Sequence, residues 1–470
     1  MITLRNYQDK KFGVVGLGKS GNAIIASLLA SGADVFAWDD GEDARRAFSH
    51  TPAFGKAQLS DPKSWPWKEF SALVMSPGVP LTHPEPHRTV KLAKEFKVPI
   101  TGDIELFCEA QSGVQKIAIT GTNGKSTTTS LIAHILHSAG RKVEAGGNLG
   151  TPVLSLQPVG SDGCYVLELS SYQLDLMHTA HFNIALLLNL TPDHIDRHGD
   201  MESYVTAKTR IFDRQNRHDF ALINLDDDYS RSVYAEQKHK SKAQIIAISL
   251  VNPLKQGVFV DKEGTLYDKI DPRDPALIRI NDIINLTGRH NWQNAAFAYT
   301  ACRAYGVAPR DIEKGLRSFP GLRHRLQIVS TIHGVRFIND SKATNADATA
   351  NALAPFSNVY WIVGGRAKEG GINPLTKYFD SVHHAFLIGE SENAFAQTLE
   401  GKVAYTRCGT MAAAFDAATK MAFAERKQNA VVLLSPACAS FDQWKNFEER
   451  GDAFCKMVES LLDKVVLGKK

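Results

Sequence analysis

The chain has 470 residues, and its 54 basic and 50 acidic side chains give a formal net charge of +4. A hydrophobic content of 43% and a charged content of 22% are typical of a soluble globular protein, and the near balance of charge argues against nucleic acid or an anionic membrane as partner. The length predicts about three domains, while a polar N-terminus and six cysteines without disulfide or metal spacing predict a cytoplasmic protein with reduced, buried thiols.

The N-terminal segment predicts a nucleotide-binding β-α-β unit. A strand over residues 11–15 leads into Gly16-Leu-Gly-Lys-Ser-Gly21, a helix over 22–30 and a strand over 34–38 that ends at Asp39-Asp40. This glycine spacing suits a diphosphate at a helix N-terminus, although such glycines also serve close packing of strand and helix. The pattern leaves open a dinucleotide cofactor, as in a nicotinamide-dependent oxidoreductase, or a nucleotide-linked substrate. A strand over 72–76 then leads to the turn Pro77-Gly-Val-Pro80.

The strongest signal is a phosphate loop. A strand over residues 116–120 leads into Gly121-Thr-Asn-Gly-Lys-Ser126, and apolar residues at helical spacing follow as far as Gly140. Backbone N–H groups of such a loop surround a phosphate, Lys125 reaches the outer phosphates, and Ser126 or Thr127 contacts magnesium. The match is to a shorter variant, because the strict pattern has glycine where this chain has Ile119.

Two polar residues downstream suit the same site. Glu168 lies inside an apolar strand over 165–173, and His194 follows a strand over 184–190. A glutamate there requires an ion pair or a metal, and a buried histidine is ambiguous alone. Together with the loop they predict a magnesium-nucleotide site.

Three other regions give weaker signals. Residues 101–112 are interpreted as a link between domains, and residues 231–280 as mostly polar, irregular structure without recognisable chemistry. A helix opened by residues 286–294 continues to 304, and its Asn291 and Asn294 could read a base edge or cap the helix.

The C-terminal segment predicts another α/β domain with a mostly parallel sheet. Strands are expected over 335–338, 359–365, 385–389 and 431–435, each followed by a polar loop. Basic, hydroxyl and small residues at these strand ends suit an anionic ligand.

Taken together, these motifs resemble the Mur ligase family over nearly the whole chain. The central motifs are Gly-Thr-Asn-Gly-Lys-Ser-Thr, Glu-Leu-Ser-Ser-Tyr-Gln, Asp-His-Ile-Asp-Arg-His and Gly-Arg-His-Asn. They are shared with folylpolyglutamate synthetases, which are not expected to carry the N-terminal glycine turn. Residues 339–345 and 435–451 resemble the members of the family that add D-glutamate.

The resemblance implies three α/β domains: a Rossmann-like domain over residues 1–102 for a UDP-linked substrate, a central P-loop-type ATPase domain over 103–321 with a mostly parallel sheet, and a C-terminal Rossmann-like domain over 322–470. It implies an ATP-dependent amide ligase of peptidoglycan precursor synthesis that joins D-glutamate to UDP-N-acetylmuramoyl-L-alanine through an acyl phosphate. A cytoplasmic monomer with ATP and two Mg²⁺ ions is expected, without nucleic-acid or membrane partners.

The resemblance also assigns residues to roles. Catalysis is assigned to Lys125, Glu168, His194 and Lys208. Magnesium is assigned to Ser126, Glu168, His194 and Lys208, the last as an N6-carboxylysine. ATP binding is assigned to Gly121, Thr122, Asn123, Gly124, Lys125, Ser126, Thr127, Asn291, Asn294, Arg325 and Asp340. The UDP-linked substrate is assigned to Gly18, Lys19, Ser20, Asp39, Gly78, Asn148 and His194, and D-glutamate to Lys342, Thr344, Lys368, Ser440 and Phe447.

Overall fold

The computed structural model describes residues 1–148, 150–271, 276–286, 288–466 and 468. The chain forms two compact units, Met1–Phe319 and Pro320–Lys470, called unit 1 and unit 2 below. The predicted α/β class is confirmed, since parallel strands alternate with helices in both units. Domain limits at 102/103 and 321/322 remain predictions. Among the described residues, no helix has the length and apolar character needed to cross a membrane.

The first sheet of unit 1 is parallel and has the strand order β3-β2-β1-β4-β5. Its strands are β1 (Lys11–Val15), β2 (Asp34–Trp38), β3 (Gln58–Leu59), β4 (Phe70–Met75) and β5 (Ile100–Thr101). Its helices are α1 (Lys19–Ala30), α2 (Glu42–Phe48) and α3 (Arg88–Glu95). Helix α1 begins three residues before the predicted start, because Gly18 is its N-cap and Gly21 packs directly on the carbonyl of Gly16.

The second sheet of unit 1 has the order β14-β13-β12-β11-β10-β9-β6-β8-β7, parallel from β7 to β12 and antiparallel beyond. Its strands are β6 (Gln115–Thr120), β7 (Val143–Gly147), β8 (Cys164–Glu168), β9 (Ile184–Leu187), β10 (Phe220–Asn224), β11 (Gln244–Ser249), β12 (Gly257–Val260), β13 (Thr265–Lys269) and β14 (Leu277–Arg279). Its helices are α4 (Asp103–Ala110), α5 (Lys125–Ser138), α6 (Ser171–Asp175), α7 (Ile195–His198), α8 (Met201–Thr209), α9 (Asp228–Lys240), α10 (Arg289–Ala304) and α11 (Pro309–Ser318).

The segment over 101–112, predicted to link two domains, is largely helix α4, which buries Ile104 and Phe107 in the core. Its role as a link stays a prediction. The prediction of irregular structure over 231–280 is wrong, because this region contains most of α9 and strands β11 to β14, while its residues 272–275 lie outside the described residues. These elements are short or largely polar, so their apolar periodicity is weak.

Unit 2 contains a sheet of order β15-β16-β21-β17-β19-β20, parallel except for the β15 and β16 pair. Its strands are β15 (Gln327–Ile332), β16 (Val335–Asn339), β17 (Val359–Gly364), β18 (Arg366–Ala367), β19 (Val382–Ile388), β20 (Tyr405–Gly409), β21 (Val431–Leu434) and β22 (Cys438–Ala439), with β18 and β22 paired antiparallel. Its helices are α12 (Ala346–Leu353), α13 (Glu392–Leu399), α14 (Met411–Glu425) and α15 (Phe447–Val466). The mostly parallel sheet is as predicted, although strands β15, β18, β20 and β22 were not anticipated.

All six cysteines are free thiols, as predicted. Four are buried, whereas Cys408 and Cys455 are half-buried, so the prediction of burial is wrong for these two.

Candidate active site

The loop between β6 and α5 has the strand, loop and helix order that the sequence predicts. Gly121 and Gly124 have φ values of +150° and +84°, and a Cβ atom on Gly124 would lie 2.3 Å from Oδ1 of Asn294. Backbone conformation and space therefore both exclude a side chain at position 124. No side chain among the described residues caps the N-terminus of α5. Its first N–H groups are left to bind an anion.

Two lysines from different helices converge on this loop. Lys125 Nζ donates to the carbonyl oxygens of Gly121 and Thr122, both at 2.8 Å. Lys208 Nζ, on α8, donates to the same Gly121 oxygen at 2.9 Å. Lys208 is 2% exposed, and burial, followed by the charge of Lys125, lowers its pKa to about 7. Lys208 therefore does not lie on the solvated helix face that a lysine usually occupies.

The prediction that Glu168 lies inside a strand over 165–173 is wrong. Strand β8 ends at Glu168, because Ser170 caps helix α6 immediately afterwards. Glu168 pairs in register with Ile119 of β6, immediately before the phosphate loop. Glu168 is 2% exposed, and its Oε1 accepts a hydrogen bond from Asn148 Nδ2 at 2.7 Å. Its buried Oε2 has no hydrogen-bond partner among the described residues. A buried carboxylate oxygen in that state fits a cation ligand.

His194 is the N-cap of the single-turn helix α7 and has a left-handed φ of +53°. Such a backbone is uncommon for a residue with a side chain and occurs often at functional sites. Its ring Nδ1 lies 2.8 Å from the hydroxyl of Tyr172, and its Nε2 lies 3.4 Å from Asp193 Oδ2. These contacts fix the plane of the imidazole.

Without modification of Lys208, the side chains at this site supply only some of the ligands that magnesium needs. Among the described residues, no three His, Cys, Asp or Glu side chains are close enough to hold a metal ion. A cation beside Glu168 would therefore need oxygen from Ser126, from a modified Lys208, from water or from phosphate.

The two asparagines of α10 lie at the phosphate loop. Asn294 is 4% exposed, and its Oδ1 accepts a hydrogen bond from Thr128 Oγ1 at 3.3 Å. Its Nδ2 donates to Asn291 Oδ1 at 3.3 Å. Asn294 therefore packs under Gly124, which neither the base-edge nor the capping interpretation of its role anticipates.

A cleft of about 490 Å³ lies at the carboxyl edge of the first sheet. Six of the seven residues assigned to the UDP-linked substrate line it: Gly18, Lys19, Ser20, Asp39, Gly78 and Asn148. Its described lining does not include His194, the seventh. Asp39 also holds the surrounding backbone, because its two oxygens accept from the N–H groups of Leu17 and Gly41 at 2.7 and 2.8 Å.

Three further polar residues of this cleft were assigned to no ligand from the sequence. Asp40, His87 and Gln173 also line it, and His87 Nε2 lies 2.9 Å from Asp40 Oδ2. His87 is the N-cap of α3 and its ring accepts from the N–H of Thr89. For His87, the sequence signal was a polar residue immediately before a helix, which is typical of an N-cap.

In unit 2, Asp340 follows β16 and is 4% exposed. It accepts hydrogen bonds from Ser435 Oγ at 2.7 Å and from the N–H of Leu326 at 3.1 Å. Burial raises the pKa of Asp340 to about 7, although these bonds and the nearby Arg325 oppose that shift. Arg325 and Asp340 are thus close together, as their shared assignment requires.

The residues assigned to D-glutamate lie on neighbouring loops of unit 2, except for Phe447, which is the first residue of α15. Lys342 Nζ lies 5.8 Å from the ring centroid of Phe447. The β18 and β22 ladder pairs Arg366 with Ala439, which brings the loop carrying Lys368 beside the one carrying Ser440. Thr344 donates its N–H to the carbonyl of Lys342 at 2.9 Å.

Arg450, which the sequence did not single out, connects two of these loops through hydrogen bonds. Arg450 is fully buried and donates to Oγ and the carbonyl oxygen of Ser341 and to the carbonyl oxygen of Cys438, at 3.0, 2.8 and 3.0 Å. A buried arginine cannot be recognised from a sequence, because most arginines are exposed.

Family models match both units. Residues 119–302 match the Mur ligase middle domain, and residues 324–438 match the glutamate ligase domain of Mur ligases. A UDP-N-acetylmuramoylalanine--D-glutamate ligase of Paramagnetospirillum magneticum is 47% identical over 460 residues, which cover 98% of each chain. The corresponding ligase of Phenylobacterium zucineum is 44% identical and covers 98% of this chain and 99% of its own.

Solved structures agree on the fold. The crystal structure of UDP-N-acetylmuramate-alanine ligase MurC from Thermotoga maritima has a TM-score of 0.56 at 16% identity, covering 96% of this chain and 99% of that one. MurF from Acinetobacter baumannii has a TM-score of 0.58 at 18% identity, with 96% and 92% covered. The chain therefore belongs to the Mur ligase family and, within it, to the UDP-N-acetylmuramoylalanine--D-glutamate ligases.

Proposed function

We propose that this protein catalyses the reaction of its family, the ATP-dependent ligation of D-glutamate to UDP-N-acetylmuramoyl-L-alanine, at the phosphate loop of unit 1. The observation that carries the proposal is the convergence of Lys125 and Lys208 on the carbonyl of Gly121, together with the buried Glu168 Oε2, which has no hydrogen-bond partner among the described residues. Cationic donors, an uncapped helix N-terminus and a buried carboxylate are the groups that phosphoryl transfer between two anions needs.

In the first step a carboxylate oxygen of the alanyl group forms a bond to the γ-phosphorus of ATP, and the bond from that phosphorus to the β,γ-bridging oxygen breaks. The products are an acyl phosphate and ADP. Lys125 neutralises the phosphates, while Gly121, Thr122, Asn123, Gly124, Ser126 and Thr127 surround them. Alignment and charge neutralisation provide the acceleration, because the protein forms no covalent bond to either reactant.

In the second step the amine nitrogen of D-glutamate attacks the acyl carbon, phosphate leaves, and the amine loses a proton. We assign the amino acid to Lys342, Thr344, Lys368, Ser440 and Phe447, whose ammonium and hydroxyl groups suit its two carboxylates. The nucleotide is assigned to Asn291, Asn294, Arg325 and Asp340 as well as the loop.

Mur ligases use ATP and Mg²⁺. We assign two magnesium ions to Ser126, Glu168, His194 and Lys208, and the metal would supply positive charge against the phosphate oxygens. Glu168 supports this assignment because its Oε2 is buried and lacks a partner among the described residues.

Lys208 is proposed to act as a carbamate. Its neutral amine nitrogen forms a bond to the carbon of CO₂ and releases one proton, which converts a cation into an anionic oxygen ligand. The burial of Lys208 against the loop supports this role, because a permanent ammonium beside Lys125 would be costly.

The UDP-linked substrate is assigned to the 490 Å³ cleft of unit 1 through Gly18, Lys19, Ser20, Asp39, Gly78 and Asn148, with His194 at the reacting end. The protein is proposed to act in the cytoplasm as a monomer.

The test is ADP release with Mg²⁺, ATP and UDP-N-acetylmuramoyl-L-alanine, in parallel with D-glutamate, L-glutamate, L-alanine, L-lysine and no amino acid. Release that depends on D-glutamate is expected. Dependence on another amino acid would overturn the roles of residues 339–345 and 435–451, and no release would overturn the ligase reaction. The NADH fluorescence that a nicotinamide-dependent enzyme would shift should stay unchanged.

A further inference from the structure

Arg197 joins two parts of unit 1 that are far apart in the sequence. From α7, its guanidinium donates to the carbonyl oxygens of Pro77, Gly78 and Val79 at 3.3, 3.1 and 3.0 Å. All three of these residues line the cleft assigned to the UDP-linked substrate. Three consecutive carbonyls are thus held by one planar, multiply donating side chain, for which a lysine could not substitute.

The turn at 77–80 has few backbone hydrogen-bond donors of its own. Pro77 and Pro80 lack N–H groups, so neither can donate a hydrogen bond within the turn. The N–H of Val79 donates to the carbonyl of Ser76 at 3.0 Å. Arg197 therefore supplies donors that the backbone of the turn cannot.

The same guanidinium also contacts the residue that orients His194. Its central carbon lies 4.7 Å from the ring centroid of Tyr172, a cation–π distance. The Tyr172 hydroxyl lies 2.8 Å from Nδ1 of His194. Because Arg197 and His194 are three residues apart on one helical turn, they hold the tyrosine ring at its face and at its hydroxyl.

We propose that Arg197 is a positioning residue of the ligase reaction, which fastens the wall of the substrate cleft to the tyrosine that orients His194. The inference rests on the proposed function of this site. Arg197 acts on the UDP-linked substrate through the turn 77–79 and on the reacting centre through Tyr172. Loss of Arg197 should therefore affect both substrate binding and turnover, whereas loss of the tyrosine hydroxyl should affect turnover alone.

The test compares Arg197→Gln, Tyr172→Phe and the double variant in steady-state assays of D-glutamate-dependent ADP release. Arg197→Gln should lower kcat by about tenfold or more and raise the KM for the UDP-linked substrate severalfold, with the KM for D-glutamate nearly unchanged. Tyr172→Phe keeps the ring and should lower kcat without changing the KM for the UDP-linked substrate. The double variant should have a kcat close to that of Arg197→Gln, because both changes act on His194 through one ring.

Arg210→Gln is the matched control, since Arg210 also donates to two carbonyls, those of Asp175 and Met177, without contacting Tyr172 among the hydrogen bonds and ring contacts of the described residues. It should leave kcat and both KM values within about twofold of the wild type.

The inference is overturned if Arg197→Gln matches the wild type, if Arg210→Gln reproduces its effect, or if the two kcat effects multiply in the double variant. An inactive wild-type protein would overturn the proposed function, and the role of Arg197 with it. An active wild type with an unaffected Arg197→Gln variant would overturn the role of Arg197 alone.

Discussion

The ammonium groups of Lys125 and Lys208 donate to one carbonyl oxygen, that of Gly121, at 2.8 and 2.9 Å. Burial lowers the pKa of Lys208 to about 7, and repulsion by the nearby charge of Lys125 is the second cause of that shift. A triphosphate beside Lys125, or carbamylation of Lys208, would relieve this repulsion. The arrangement thus favours both events on which the proposed reaction depends.

Removal of the Lys208 side chain should abolish activity and spare the fold. Lys208→Ala eliminates the proposed anionic ligand and the buried ammonium, so we expect kcat to fall by about a hundredfold or more. Partial recovery with added bicarbonate, which could enter the vacated space, would indicate the carbamate. The measurement is ADP release together with a thermal unfolding curve.

Lys116→Met is the matched control for Lys208→Ala, because Lys116 is likewise 2% exposed but donates to the carbonyls of Gln111 and Val114, away from the loop. It should retain kcat. Full activity of Lys208→Ala would contradict the role of Lys208, and absence of recovery would contradict the carbamate.

A methyl group on the phosphate loop should weaken ATP binding. In Gly124→Ala the new Cβ would lie 2.3 Å from Asn294 Oδ1 with the backbone at φ +84°, so the loop must move. We expect the Kd for ATP with Mg²⁺, measured by calorimetric titration, to rise by about tenfold or more. Gly140→Ala has a similar φ of +74° but open space around it. It should lose about 1 kcal/mol of stability and keep the ATP affinity; equal losses of affinity in both variants would refute the argument.

The local form of this site follows from the sequence, but its contacts do not. Apolar strands such as β6 and the terminating Gly140 are local signals, and they predict the phosphate loop. The contact of Asn148 with Glu168 depends on β7 lying next to β8 in the sheet order, which no local pattern encodes. The burial of Lys208 likewise results from packing of α8 against a loop far away in the sequence, so the residue type alone suggests exposure.

Replacing Glu168 by glutamine should lower the activity without lowering the stability of the protein. Glu168→Gln keeps an oxygen for Asn148 but replaces the negative charge, so the cation that the phosphates need is held less well. We expect kcat to fall by about a hundredfold and the Mg²⁺ concentration for half-maximal rate to rise. Stability should be unchanged or higher, since a buried charge is removed.

Glu144→Gln provides the comparison, because Glu144 lies on the neighbouring strand β7 and is half-buried. Its rate and Mg²⁺ dependence should match the wild type. A Glu168→Gln variant with normal Mg²⁺ dependence would exclude Glu168 as a metal ligand.

Asp103 should make unit 1 less stable as the pH rises from about 4 to about 6. Burial raises its pKa from 3.8 to about 6, despite hydrogen bonds from Gln173 Nε2 and from the N–H of Ile104. Between these values the native state binds more protons than the unfolded state, so the free energy of unfolding falls with pH, by about 3 kcal/mol once pH exceeds 6. Asp103→Asn has no charge to desolvate and should therefore gain stability over the wild type above pH 6 and none below pH 4.

Glu105, two residues later on α4, should show the opposite sign. Burial tends to raise its pKa, but the N–H groups of His178, Thr179 and Ala180 and the Thr179 hydroxyl lower it overall. Its stabilising contribution is therefore present above pH 4.5 and is lost as the pH falls, so Glu105→Gln should cost stability at pH 7. Denaturant unfolding at pH 4, 5, 6 and 7 for both variants tests the pair. If Asp103→Asn follows the wild type at every pH, Asp103 has the same pKa in the folded and unfolded states, and its burial in α4 has no consequence for the pH dependence of stability.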